Sequence, residues 1–194
     1  MAYMNVDSLN ERVQVGAHAN RWGWAVAANA LLVVASYVAI PIGPVPITLQ
    51  SLAVTLVGAW LGPWAGGATV LAWLAEGATG LPVFAGGAAG VAQFFGPSGG
   101  YLLGFLPAAV ISGWLFRSCA KLPLRLRAVA TPAAAHLIVF GTGVAWLAQL
   151  VGGEAALASG LLPFLPGALG KCVVAAGALL SWRGPGRAAD DCAT

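Results

Sequence analysis

"LPGALGKCVVAAG", residues 165–177, is apolar or small at every position except Lys171. The remainder of the chain has the same character: mean hydropathy is +0.85, and of 194 residues 59% are hydrophobic and 8% charged. Soluble domains carry about 25% charged residues, so this is the composition of a membrane protein. At about 20 apolar residues per crossing, the chain has room for roughly six helices with short loops and for no second domain.

Six apolar segments stand out at approximately residues 22–40, 48–62, 64–80, 100–116, 128–151 and 162–182, each limited by prolines, glycines or charges. Spans near 15 residues suffice if the flanking glycine-rich turns are buried in protein rather than exposed to lipid. The expected fold is therefore all-α, an integral membrane bundle of six transmembrane helices over 22–182. Residues 1–21 and 183–194 form cytoplasmic terminal segments. The first 21 residues carry Asp7, Glu11, Arg12, His18 and Arg21 without an apolar core before a small-residue cleavage site, so no signal peptide is expected.

The distribution of positive charge orients the bundle. With both termini cytoplasmic, Arg12 and Arg21, then Arg117, Lys121, Arg125 and Arg127, then Arg183 and Arg187 all fall inside, which accounts for eight of the nine basic residues. Lys171 is the exception. The net charge of +3 does not indicate a nucleic-acid partner, because the basic residues are separated by apolar runs and form no stripe with interleaved aromatics. The three cysteines, Cys119, Cys172 and Cys192, suggest no disulfide framework.

The outer side then receives "PIGPVPI" (41–47), "LPVFAGGAAGVAQFFGPSG" (81–99) and "GGEAALASG" (152–160), none with a basic residue. The middle connection mixes glycines with Phe84, Phe94 and Phe95. Phenylalanines on a glycine-rich loop predict a compact cover over the outer helix ends.

Lys171 sits about nine residues into the sixth segment, roughly 13 Å below its outer end if the helix is continuous. A lysine at that depth costs on the order of 3 kcal/mol on insertion scales, so such residues face a cavity or have a partner. Gly167, Ala168, Ala175 and Ala178 share its helical face and leave room beside it. Glu76, the only acidic residue within an expected span, is one candidate partner, and a ligand carboxylate is the other. Thr48, Gln50, Gln93 and Ser98 all fall on the outer side, which suits a small molecule with a polar head. His136 has no carboxylate or second histidine at helical spacing and reads as a packed core residue instead of a metal ligand. Gly170–Lys171 lacks the earlier glycine and following Ser/Thr of a phosphate-binding loop, so ATP chemistry would belong to a partner. In the first segment Ala28, Ala35, Ser36 and Ala39 are small, and Ala35 and Ala39 lie four apart, an arrangement that allows close helix approach either by a partner or within the molecule.

"PIGPVPITLQSLAVTLVGAWLGPWAGG" (41–67), "GLPVFAGG" (80–87) and "GPSGGYLLGF" (96–105) resemble the BioY family, the biotin-binding S components of energy-coupling factor (ECF) transporters. The likeness runs from roughly residue 29 to 182. The last-helix motif of that family, proline, glycine, aspartate, two variable residues and lysine, is matched by Pro166, Gly167 and Lys171, with Ala168 in the aspartate position. Ala88 and Leu102 stand where some members carry asparagine and arginine. The resemblance implies an S component of the bacterial cytoplasmic membrane that takes biotin from outside, with Lys171 as the principal charged contact. It implies no cofactor and no enzymatic activity. Helix 1 would meet a transmembrane coupling subunit, and cytoplasmic ATPases would supply energy. Phe84, Phe94, Phe95 and Tyr101 could then cover the ring system of biotin. Three rivals carry different expectations: the same architecture for another small vitamin; an intramembrane enzyme using Glu76 or His136, which the isolation of those residues disfavours; and a passive channel or purely structural membrane protein, which predicts no saturable high-affinity binding.

Overall fold

A computed structural model describes residues 6–41, 43–119 and 122–182, and these are mostly helical. Lys121 and the tail at 183–194, with Arg183, Arg187 and Cys192, lie outside the described residues. In chain order the elements are α1 (Val6–Tyr37), β1 (Ala39–Ile40), β2 (Ile47–Thr48), α2 (Gln50–Leu61), α3 (Pro63–Ala78), α4 (Ala92–Phe95), α5 (Gly99–Gly113), α6 (Leu124–Val151), α7 (Gly153–Gly160) and α8 (Leu165–Ser181). Three stretches are long and apolar enough to cross a membrane: Gly99–Arg117, Leu124–Val151, and Gly153–Ser181 with its internal turn. The helices over 22–37 and 50–61 are apolar but shorter.

The architecture departs from the sequence expectation in three places. First, α1 begins at Val6 instead of near residue 22. Second, the connection after α1 is a small hairpin in an otherwise helical chain, with Ala39 opposite Thr48 and Ile40 opposite Ile47. Prolines at 41, 44 and 46 cannot donate to a helix ladder, and the β-branched residues around them favour extended backbone. Third, "GEAALASG", expected as an outer loop, forms α7. Alanine, leucine and glutamate are good helix formers, and Gly152 at φ +88° reverses the chain so that α7 starts a new helix directly after α6.

Between α2 and α3 the turn is a single residue. Gly62 has φ +87°, donates its N–H to the Gly58 carbonyl, and is followed by Pro63 at the first position of α3, where a missing N–H costs nothing. The α2 and α5 backbones nearly touch, since a Cβ placed on Gly58 would lie 2.2 Å from the Ala109 carbonyl oxygen. The main core lies between these helices and α3 and α6, around Trp73, Phe105, Val54 and Leu147. A second cluster forms at the opposite end around Leu56, Phe116 and Leu179.

Candidate functional site

The loop between α3 and α5 is fastened to the bundle by three side chains. Tyr37 donates its hydroxyl to the Pro82 carbonyl at 2.6 Å, the Trp73 indole donates to the Val83 carbonyl at 3.0 Å, and the Trp146 indole donates to the Gly96 carbonyl at 3.0 Å. These bonds satisfy loop carbonyls that water would otherwise have to reach. Phe84 is thereby driven inward: it is 2% exposed, meets Trp73 edge-on at 5.4 Å, and lies over Gly77, where a Cβ would fall 2.1 Å from its ring. Phe94 packs edge-on against Phe84 at 5.6 Å.

Beneath this loop lies a cavity of about 240 Å³, bounded by the hairpin, the start of α2, the start of α5, the middle of α6 and α8. That is just under the roughly 300–1,000 Å³ range of small-molecule sites. Its polar lining comprises Lys171, Ser51, Thr48, Gln50, Gln93 and Ser98. The aromatic wall is Phe84, Tyr101, Phe105, Phe140 and Phe164. Lys171 is the one charged residue among the described lining residues.

The polar groups are held in a definite order. Lys171 Nζ donates to Ser51 Oγ at 3.3 Å. An ammonium has three donors, so this bond leaves capacity for an anionic ligand. Thr48 Oγ1 donates to Gln50 Oε1 at 2.9 Å, Gln50 Nε2 donates to Ser36 Oγ at 2.9 Å, and Ser36 donates to the Leu32 carbonyl at 2.8 Å. This relay fixes the amide of Gln50, which is 4% exposed, and ties the cavity floor to α1. Tyr101 donates its hydroxyl to the Gly160 carbonyl at 2.7 Å and stacks on Phe164 at 6.2 Å, so α7 and the turn before α8 brace the wall.

Of the residues singled out in the sequence, Lys171, Gln50, Thr48, Phe84, Gln93, Tyr101 and Ala88 converge on the cavity. Phe94, Phe95, Glu76 and Ala168 are not among its lining residues. Phe95 points outward at 69% exposure, because α4 is one short turn and Phe94 takes its inward position. Glu76 accepts a hydrogen bond from Asn29 Nδ2, an α1–α3 contact, and so does not pair with Lys171. Ala168 is buried in α8. The small residues expected to serve docking divide as well: Ala35 is buried in the core and Ala39 belongs to β1, whereas Ala28 lies on a separate groove.

Sequence reasoning missed Ser51, although it directly follows Gln50, and it missed Pro44, Val45 and Pro46, which the hairpin turns into the cavity. Phe140 and Phe164 gave no local signal, since one lies in a uniformly apolar helix and the other in the turn before α8. His136 is buried, its Nδ1 lying 2.9 Å from the Pro132 carbonyl, consistent with a packed core residue.

Known proteins resemble this chain in sequence and in fold. The chain is 40% identical over 158 residues to the biotin transporter BioY of Rhodobacter capsulatus, covering 75% of this chain and 83% of that protein. It is 38% identical over 136 residues to a probable biotin transporter BioY of Pyrococcus horikoshii, covering 70% and 79%. The crystal structure of the S-component for biotin from an ECF-type ABC transporter superposes with a TM-score of 0.76 at 28% identity, covering 92% of this chain and 93% of the other. The BioY family model matches residues 9–185, and with these relatives it shows that the chain belongs to the BioY family.

Proposed function

We propose that this protein captures biotin at the outer side of the bacterial cytoplasmic membrane, as the substrate-binding S component of an ECF-type transporter, and is not an enzyme. The observation that carries the reading is the cavity itself, a mostly apolar, aromatic-walled chamber with one lysine and a few oriented neutral groups. Biotin is complementary to it. Its carboxylate suits Lys171, its ureido group offers donors and an acceptor to Gln50, Thr48, Gln93 and Ser98, and its thioether ring and tail suit Phe84, Tyr101 and Phe164.

Six membrane spans with both termini cytoplasmic would place the hairpin and the loop at 81–99 outside, above the cavity, and Arg117, Arg125 and Arg127 inside. The positive-inside pattern supports that orientation. A transmembrane coupling subunit and cytoplasmic ATPases are the corresponding partners. Contact with the coupling subunit would run through α1, on which Val26 and Val34 are exposed.

Competition on the purified protein tests the ligand. Labelled biotin should be displaced by unlabelled biotin, more weakly by biotin methyl ester, which lacks the anionic carboxylate, and not by thiamine or riboflavin. Equal displacement by either of those vitamins would transfer the reading to another S-component ligand. A second expectation concerns the loop at 81–99, because Ala88, Gln93 and Ser98 line the cavity while Phe95 remains outside. Saturating biotin should slow amide hydrogen exchange across this loop, and exchange identical with and without biotin would show that it does not close over the ligand.

A further inference from the structure

At the end of the bundle opposite the cavity, a groove of about 410 Å³ runs between α1 and α2. Trp24, Ala28 and Leu31 line it from one face of α1, and Val57, Trp60 and Leu61 line it from α2. Trp182 closes it, stacked on Trp60 at 4.8 Å and edge-on to Trp24 at 5.9 Å. Arg117 stands at the mouth, where its Nη1 lies 3.5 Å from the Leu61 carbonyl. Among the side chains described, Arg117 has no carboxylate partner; Glu76 and Glu154 both belong to the cavity end of the bundle.

Clustered tryptophans mark the level of lipid headgroups, and basic pockets between helices on the cytoplasmic side attract anionic ones. We infer that this groove binds an anionic glycerophospholipid of the adjoining leaflet, with its phosphate on the Arg117 guanidinium and one acyl chain between α1 and α2. The guanidinium fork matches phosphate oxygens two at a time, and Arg117 has donors left over for it. An apolar lining with a single guanidinium at its mouth is complementary to an acyl chain below a phosphate. The alanine and leucine side chains of α1 and α2 that face the space, Ala27, Ala28, Leu31 and Leu61, offer no hydrogen-bonding group, as a hydrocarbon chain requires.

The test is native mass spectrometry of the full chain in detergent with equal amounts of phosphatidylglycerol and phosphatidylcholine of the same acyl composition. Phosphatidylglycerol should be retained about fivefold better, the factor that one basic residue near an anionic surface supplies. Arg117→Gln should abolish the preference, and Ala28→Leu, which fills the groove without removing the charge, should reduce retention of both lipids. Both variants should bind biotin normally, which keeps this result separate from that of the cavity. Equal retention of the two lipids, or a preference that survives Arg117→Gln, would overturn the assignment. So would loss of coupling-subunit co-purification in Arg117→Gln with lipid retention unchanged, which would give the groove to a protein partner.

Discussion

Lys171→Ala is expected to weaken biotin binding by more than about tenfold, since a hydrogen bond to a charged group is worth about 1.5–3 kcal/mol. The cavity explains why the effect should be large. Lys171 is its only charge among the described lining residues, and its hydrogen-bond partner among the described residues is the neutral Ser51 hydroxyl at 3.3 Å. A bound carboxylate would meet no competing carboxylate there, and without the ammonium it would be desolvated with no counter-charge. The protein itself should tolerate the change, because alanine removes an unpaired cation from the interior of a bundle and breaks one long hydrogen bond. The control is biotin methyl ester, whose affinity should fall much less in the mutant than that of biotin. Near-wild-type biotin affinity in folded Lys171→Ala protein would remove this residue from the site.

Gly58→Val should lower the thermal midpoint and biotin affinity together, although Gly58 is far from the cavity. Its Cβ would lie 2.2 Å from the Ala109 carbonyl oxygen and 2.9 Å from the Ala109 Cα. These are backbone atoms of α5, so no side chain can swing aside and the two helices must separate. Overpacking of this kind costs about 3 kcal/mol, at the upper end of its usual range. For a chain of this size that corresponds to a fall of roughly 6–12 °C. The other end of α2 carries Gln50 and Ser51, and α5 carries Tyr101, so the same separation widens the cavity. A midpoint within a degree or two of wild type in a detergent melt would mean that the α2–α5 contact is looser than this geometry.

Both effects depend on features of different legibility. Membrane class, the approximate helical segments and the anomaly of Lys171 were readable from residue types alone. Hydropathy and charge are local properties, and the bilayer imposes its cost on each residue separately. Even so, the hairpin at Ala39–Thr48 and α7 differ from the sequence expectation, because segmental hydropathy does not register short elements whose conformation is decided by proline or by a glycine turn.

Residues lining the cavity were only partly legible. Thr48, Gln50 and Gln93 stood out because polar side chains are scarce in this chain, and scarcity is a one-dimensional signal. Ser51, Phe105, Phe140 and Phe164 did not, since an apolar helix shows no periodic contrast to reveal which of its faces is turned inward. Glu76 shows the converse. As a lone intramembrane acid it looked like a partner for Lys171, yet Asn29 reaches it first across the α1–α3 contact.

The sequence by itself determined that the chain enters a membrane, which connections between apolar segments are basic, and that one lysine lies where a cation needs a partner. Tertiary structure decided who that neighbour is, which phenylalanine faces inward and which outward, and where space remains. Those depend on pairings between residues as far apart as Ser51 and Lys171, and only packing of whole helices sets such distances.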